Sequence, residues 1–104
     1  MKTDSYPMAD VLLADDDFAA LEGLAKLIEA AGHRVIRAGD GIDAFRIATS
    51  QRVDVVVCDE HMPRMTGSEL ISAMRAHARL ASLPAILLVK PVDIVALLAA
   101  IENR

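Results

Sequence analysis

Two stretches of this chain place carboxylates where strand–helix proteins do chemistry. Asp15, Asp16 and Asp17 follow directly on the apolar run Val11–Ala14, and Asp59 follows directly on Val53–Cys58. A third apolar run, Ala85–Val89, ends on Lys90 and Pro91. If the runs are parallel strands, their carboxyl ends share one edge, where open α/β sheets keep their ligand sites. With the first and third strands as neighbours, the acids converge. Crowded carboxylates cannot all remain ionised unless a cation holds them. Hard oxygen donors at an accessible lip suit Mg2+, which keeps waters and favours sites shared with phosphate. A carboxylate beside Mg2+ is a known type of nucleophile for phosphoryl transfer. Lys90 adds positive charge on the same edge.

A plainer account of the same residues exists. Asp is favoured at helix N-caps and in the first turn, so Asp15–Asp17 can serve a helix alone. A single Asp59 at a strand end is ordinary in a surface loop. The conjunction of both acid groups with Lys-Pro after an apolar strand favours one shared site.

The elements that must position these groups alternate along the chain. Val11–Ala14 is a strand, followed by a helix over 18–31 with Leu21, Leu24, Ala25 and Ile28 on one face. A second strand covers 34–37, Gly39-Asp40-Gly41 is a turn, and a helix covers 42–50 with Ile42, Phe45 and Ala48 at spacing three. Val53–Cys58 is the third strand; it is rich in β-branched residues, as strands buried on both faces are. After the loop punctuation of Pro63 and Gly67, a helix runs from about Ser68 to Leu80, with Glu69 in its first turn and Leu70, Ile71 and Met74 inward. A fourth strand covers 85–89. The last helix runs from 92 or 93 to 102 and is apolar on nearly every side: Ile94, Val95, Leu97, Leu98 and Ile101. The alternation predicts an α/β fold with a parallel sheet. Residues 1–9 are expected to be a loose tail and 10–104 one domain.

Composition narrows the function classes. The 104 residues are 54% hydrophobic, too apolar for disorder, yet no run approaches a membrane span. The N-terminus lacks the apolar segment of a signal peptide. The lone cysteine, Cys58, fits a reducing, cytoplasmic setting. A net charge of −4 argues against direct nucleic-acid binding and suits a cation site. Cys58 is expected in the core. His33 and His77 are expected on the surface, and Arg75 and Arg79 to be solvated. Met62 and Met65 are expected to pin the loop around Pro63 by packing. Tyr6 has no evident role.

The segments Val-Leu-Leu-Ala-Asp-Asp-Asp (11–17), Val-Val-Val-Cys-Asp-Glu-His-Met-Pro-Arg-Met-Thr-Gly (55–67), Leu-Pro-Ala-Ile-Leu-Leu-Val (83–89) and Lys-Pro-Val (90–92) resemble the receiver domain of two-component response regulators. Asp40-Gly41 before the second helix also fits. The pattern Asp-x-x-Met-Pro-x-Met-x-Gly is highly specific, and the resemblance covers nearly all of 10–104. It implies a doubly wound, flavodoxin-like parallel sheet, with strand order 2-1-3-4 for the strands present; a member of this family is a standard example of that winding. It implies that Asp59 is the phosphoacceptor. Asp15 and Asp16 match the acidic pair that holds Mg2+, Asp16 more directly than Asp15, and the metal would also take the backbone carbonyl of His61. Lys90 matches the lysine that contacts the phosphoryl group. Pro91 matches the proline after it, whose preceding peptide bond is often cis in the family. The implied donor is a phosphohistidine on a histidine kinase or phosphotransfer protein, with a downstream protein partner. Such a domain assists its own phosphoryl transfer and is not a turnover enzyme.

The chain departs from the family pattern at Val89–Lys90. The family has a Ser or Thr directly after the fourth strand, then a fourth helix and a fifth strand, and only then Lys-Pro. Here the fourth helix and fifth strand are missing, as are the hydroxyl and the aromatic switch residue. Val89 aligns as the end of strand four or of strand five, but not both. The loss leaves the fourth strand at a sheet edge, with almost no loop before the last helix. Self-association that buries the exposed surface is therefore expected. Three functions compete: a phosphoacceptor domain; a degenerate receiver that binds partners regardless of phosphorylation; and a phosphohydrolase of the haloacid-dehalogenase type, suggested by the Asp-x-Asp spacing of Asp15 and Asp17. The third lacks the expected Thr, with Ala19 in its place, and shows no later acidic motif.

Overall fold

A computed structural model describes residues 8–104; most of the expected tail, including Tyr6, lies outside them. Four parallel strands, β1 (Asp10–Ala14), β2 (Arg34–Ala38), β3 (Val55–Cys58) and β4 (Ala85–Leu87), form one sheet in the order β2-β1-β3-β4. Four helices alternate with them: α1 (Phe18–Ala30), α2 (Gly41–Ser50), α3 (Gly67–Arg75) and α4 (Ile94–Glu102). This is the doubly wound fold with strand order 2-1-3-4 expected from the sequence, short of the usual five strands.

The apolar runs explain the layers. Successive strand residues point to opposite faces. On β1 and β3, Val11, Leu13, Val55 and Val57 pack toward Leu21, Ala25 and Ile28 of α1 and Leu97 and Ile101 of α4. The alternate set, Leu12, Ala14, Val56 and Cys58, packs toward Ala44 and Ala48 of α2 and Leu70 and Met74 of α3. The two central strands therefore need apolar residues wherever both faces are covered, at Val11–Ala14 of β1 and throughout β3. Each helix begins on a side-chain cap. Asp17, Asp40 and Asp93 accept from the backbone N–H three residues on, and Thr66 forms a reciprocal capping box with Glu69.

Several expectations are corrected. The third helix ends at Arg75 rather than Leu80, and residues 76–83 continue as turns. At roughly 100° per residue, a continued helix would carry Leu80 roughly 240° round from Met74, away from the core. The turns bring Leu80 into the cluster under α2 and α3 instead. Arg75 is not merely solvated, because its guanidinium donates to the carbonyls of Leu80, Ala81 and Leu83 and braces those turns. Arg79 likewise donates to the Thr49 carbonyl at 2.9 Å, beyond α2's midpoint. His77 is half-buried, edge-on to Phe45.

His33 is buried at 5% exposure, not on the surface. Its Nδ1 accepts from the Ala9 N–H at 3.1 Å, so the proton sits on Nε2, 3.2 Å from the Glu102 carboxylate. That pair fastens the start of β1 and the end of α4 together. Ala9, expected in the loose tail, is fully buried.

β4 stops at Leu87 instead of Val89. β3 ends at Cys58, so after the Leu88 N–H has bonded the Cys58 carbonyl the ladder has no partner left. Val89 is 80% exposed. Because α4 also starts late, at Ile94, residues 88–93 supply a connection where almost no loop is expected from the sequence. The Lys90–Pro91 peptide bond is cis. α4 buries Leu97 and Ile101 but leaves Val95 75% exposed, so its all-round apolar surface is only partly covered.

Ile101 is fully buried where α4 meets α1 and the sheet. Ile101→Ala is expected to cost about 2–5 kcal/mol in urea unfolding, the usual range for deleting a buried aliphatic side chain. A loss near zero would show that α4 does not pack there in solution.

Candidate functional site

Parallel pairing aligns Ala14 of β1 with Cys58 of β3. The next residue on each strand is therefore an acid at the same level of the sheet. The Asp59 N–H donates to the Ala14 carbonyl at 3.0 Å, and the Asp15 N–H donates to the Ala38 carbonyl at 3.1 Å. Asp15 and Asp59 are both buried, at 3% and 7% exposure, and Asp16 is exposed beside them. The three carboxylates each offer an oxygen, and these oxygens lie within 4.8 Å of one another. The convergence expected from the sequence is present.

Lys90 joins them. Its Nζ donates to Asp15 Oδ2 at 3.0 Å and lies 3.4 Å from Asp59 Oδ1. The hydrogen bond that Lys90 donates to Asp15, with the charges of Asp15 and Asp59, raises the lysine above its ordinary range against the opposing effect of burial. The ammonium therefore stays charged and offsets part of the repulsion between the acids. Despite the shortened chain, the 88–93 connection brings Lys90 into the site.

The three adjacent acids divide their work. Asp15 Oδ1 accepts from the Asp17 N–H at 3.0 Å, which holds the turn after β1. Asp17 turns away to cap α1 through the Ala20 N–H. The helix-cap account is thus right for Asp17 and incomplete for Asp15 and Asp16. Asp17 is also unavailable as the second carboxylate of an Asp-x-Asp phosphohydrolase pair. Asp16 has no side-chain partner among the described residues.

The donor set fits a hard divalent cation. Three carboxylates at an open lip, one of them exposed, match the ligand chemistry of Mg2+. Asp15, Asp16 and Asp59 would hold it through side chains. His61 stands two residues beyond Asp59, with its side chain exposed. Its N–H donates to Asp59 Oδ2 at 3.1 Å, which turns the loop backbone toward the acid.

The loop after Asp59 is closed at its base. The Gly67 N–H donates to the Glu60 carbonyl at 3.1 Å, and the Glu60 carboxylate accepts from the Ser68 N–H at 2.8 Å and its hydroxyl at 2.7 Å. Those Ser68 bonds, the hydroxyl first, hold the Glu60 carboxyl below its usual range. A Cβ at Gly67 would collide with the Asp59 carbonyl, so only glycine lets α3 start this close to the acid. Met62 is buried and Met65 packs against the same cluster, as expected. Glu60 and Thr66 were not among the expected site residues. The Thr66-x-x-Glu69 spacing is a visible capping-box signal, whereas nothing local marks the Glu60–Ser68 closure.

No hydroxyl follows β4: Leu88 is buried and Val89 exposed before Lys90. An apolar groove of about 280 Å³ runs beside this segment, lined by residues that include Leu87, Val89, Pro91, Ala96 and Ala100. It is separate from the acids.

Cys58 sits under the site, and burial first, then the charges of Glu60 and Asp59, push its thiol up to about 12 from an ordinary 9.0. A proton held more tightly in the folded chain than in the unfolded one stabilises fully below the ordinary value and is lost as pH rises through the folded value. Maleimide at about pH 8 should therefore leave folded protein unlabelled and react in urea. Stability should decline from pH 9 toward 12, less steeply in Cys58→Ala. Rapid labelling of the folded chain would refute the buried placement.

A profile of the response regulator receiver domain matches residues 11–103. Transcriptional regulatory protein PrrA of Mycobacterium tuberculosis is 39% identical over 66 residues, which is 64% of this chain and 28% of that protein. The chain thus spans little more than a quarter of the curated relatives it matches first. Among solved structures, chemotaxis response regulator CheY4 of Vibrio cholerae is 28% identical with a TM-score of 0.83, over 93% of this chain and 98% of that one. The signal receiver domain of a signal transduction histidine kinase from Syntrophus aciditrophicus reaches a TM-score of 0.87 at 22% identity, over 91% and 88%, a likeness of fold.

Proposed function

The chain belongs to the response regulator receiver domain family of two-component signalling, and from that premise we propose that Asp59 is its phosphoacceptor. The observation that carries the reading is the meeting of Asp15, Asp16, Asp59 and Lys90 at one sheet edge. One carboxylate oxygen of Asp59 attacks phosphorus in line. The O–P bond forms as the N–P bond of a donor phosphohistidine breaks, and the electron pair returns to the imidazole. Lys90 neutralises charge on the phosphoryl oxygens, and the His61 N–H holds the second Asp59 oxygen in place. Bound Mg2+ would offset negative charge on both carboxylates and phosphoryl group. The His61 carbonyl is proposed as its backbone ligand. The donor is a histidine kinase or phosphotransfer protein, the output a contact with a downstream protein. The domain assists one transfer rather than turning over substrate. No helix among the described residues is long and apolar enough to cross a membrane, and a cytoplasmic setting is proposed on the family's account.

One observation favours a second reading. The segment after β4 has no Ser or Thr to bind a phosphoryl oxygen. A degenerate receiver would keep the fold and bind its partner whatever the state of Asp59. We also propose a second copy over the surface beside β4, because a two-fold mate would offer the same open strand edge in return.

Incubation with Mg2+ and a small-molecule phosphodonor should add one phosphate by mass spectrometry, absent in Asp59→Asn. No addition to the wild-type chain would overturn the phosphoacceptor reading and leave the interaction module. Light scattering should give a mass above that of one chain; a monomer in a folded sample would exclude the second copy.

A further inference from the structure

The base of the loop between β3 and α3 is closed by Glu60, Gly67 and Ser68, but its tip is held from elsewhere. At the tip the Met65 N–H bonds back to the Pro63 carbonyl at 2.7 Å. Between them Arg64 has φ +68°, the left-handed region that a non-glycine residue rarely adopts. Such a conformation persists only where its surroundings impose it. Two independent contacts do so, and both lie on the N-terminus of α2. The Arg64 guanidinium donates to the carboxylate of Asp40, the residue that caps α2 through the Asp43 N–H. The Met65 carbonyl sits so close to Gly41 that a Cβ there would lie 2.5 Å from its oxygen.

We infer that Asp40, Gly41 and Arg64 form a positioning clamp, in which the start of α2 fixes the loop that carries His61 beside Asp59. None of the three belongs to the acid cluster. They act through the loop, so that its backbone needs no ordering when a ligand arrives. Asp40 does double duty. The Asp43 N–H first, and then Arg64, hold its carboxyl below the usual range, so it is charged for both partners. The clamp's consequence for metal and phosphoryl binding rests on the proposed function; the clamp itself does not.

Asp40→Asn keeps a competent helix cap and removes the charge, which separates pairing from capping. Amide hydrogen exchange by NMR reads the loop directly at His61, Met65 and Gly67. In Arg64→Ala and in Asp40→Asn these amides should exchange about three- to fivefold faster, the scale of an exposed ion pair. β1 and α1 amides should keep their rates. The double variant should exchange no faster than either single one, because both remove the same contact, and Arg64→Lys should recover part of the protection. Calorimetric Mg2+ affinity should weaken by a similar factor in each single variant. Wild-type exchange at all three amides in both single variants would overturn the clamp. So would additive effects in the double variant. A wild-type chain that takes up no Mg2+ would instead sink the proposed function, while the exchange rates still decide the clamp.

Discussion

The site depends on one pairing, Ala14 opposite Cys58. Parallel strands in that register end level with each other, so the residue after each must meet at the edge. A one-residue slip would move an acid to the opposite face and break the apolar alternation on both sides of the sheet. The packing that fixes the register is thus the same packing that builds the core. Val11, Leu13, Val55 and Val57 face one helical layer, and Leu12, Ala14, Val56 and Cys58 the other. Burial holds two carboxylates at a separation that repulsion alone would oppose, and Lys90 is the internal counter-charge that lets them stay there.

The shortened chain meets its largest structural problem by giving up regular structure. β4 stops at Leu87 and α4 begins at Ile94, which frees residues 88–93 to cross from the strand to the α1 side. That path delivers Lys90 to the acids. It leaves Val89 and Val95 exposed and an apolar groove between β4 and α4. Burial of Leu97 and Ile101, with the His33–Glu102 pair at the far end, is what fastens a helix that lacks its usual neighbours.

The acids after β1 show how one residue type takes three roles over three positions. Asp15 is buried, paired with Lys90 and bonded to the next turn; Asp16 is exposed and open to a ligand; Asp17 caps a helix. The loop after Asp59 divides similarly. Glu60 closes its base, and Arg64 ties its tip to α2. Function at this edge rests on short segments whose geometry is set by helix starts, because helix N-termini offer unpaired N–H groups that acidic side chains satisfy.

Much was legible in the residues alone. Strand-length apolar runs alternating with helical spacing determined the α/β class and the four strands, because period and length are local properties. The specific motif around Asp59 and the acids after β1 pointed to the site, because parallel strands leave their carboxyl ends on one edge whatever else they pack against. What stayed hidden involved partners distant in sequence. The burial of His33 depends on Ala9 and on Glu102, the early end of α3 on where Leu80 must go, and the loop's attachment on Asp40. The reach of Lys90 into the acids depended on how both β4 and α4 gave up residues at their ends. Local pattern decides which element forms, but side-chain contacts between elements appear only when the whole chain has packed. That is why the sequence determined the edge and its acids, and only the tertiary structure decided what holds them in place.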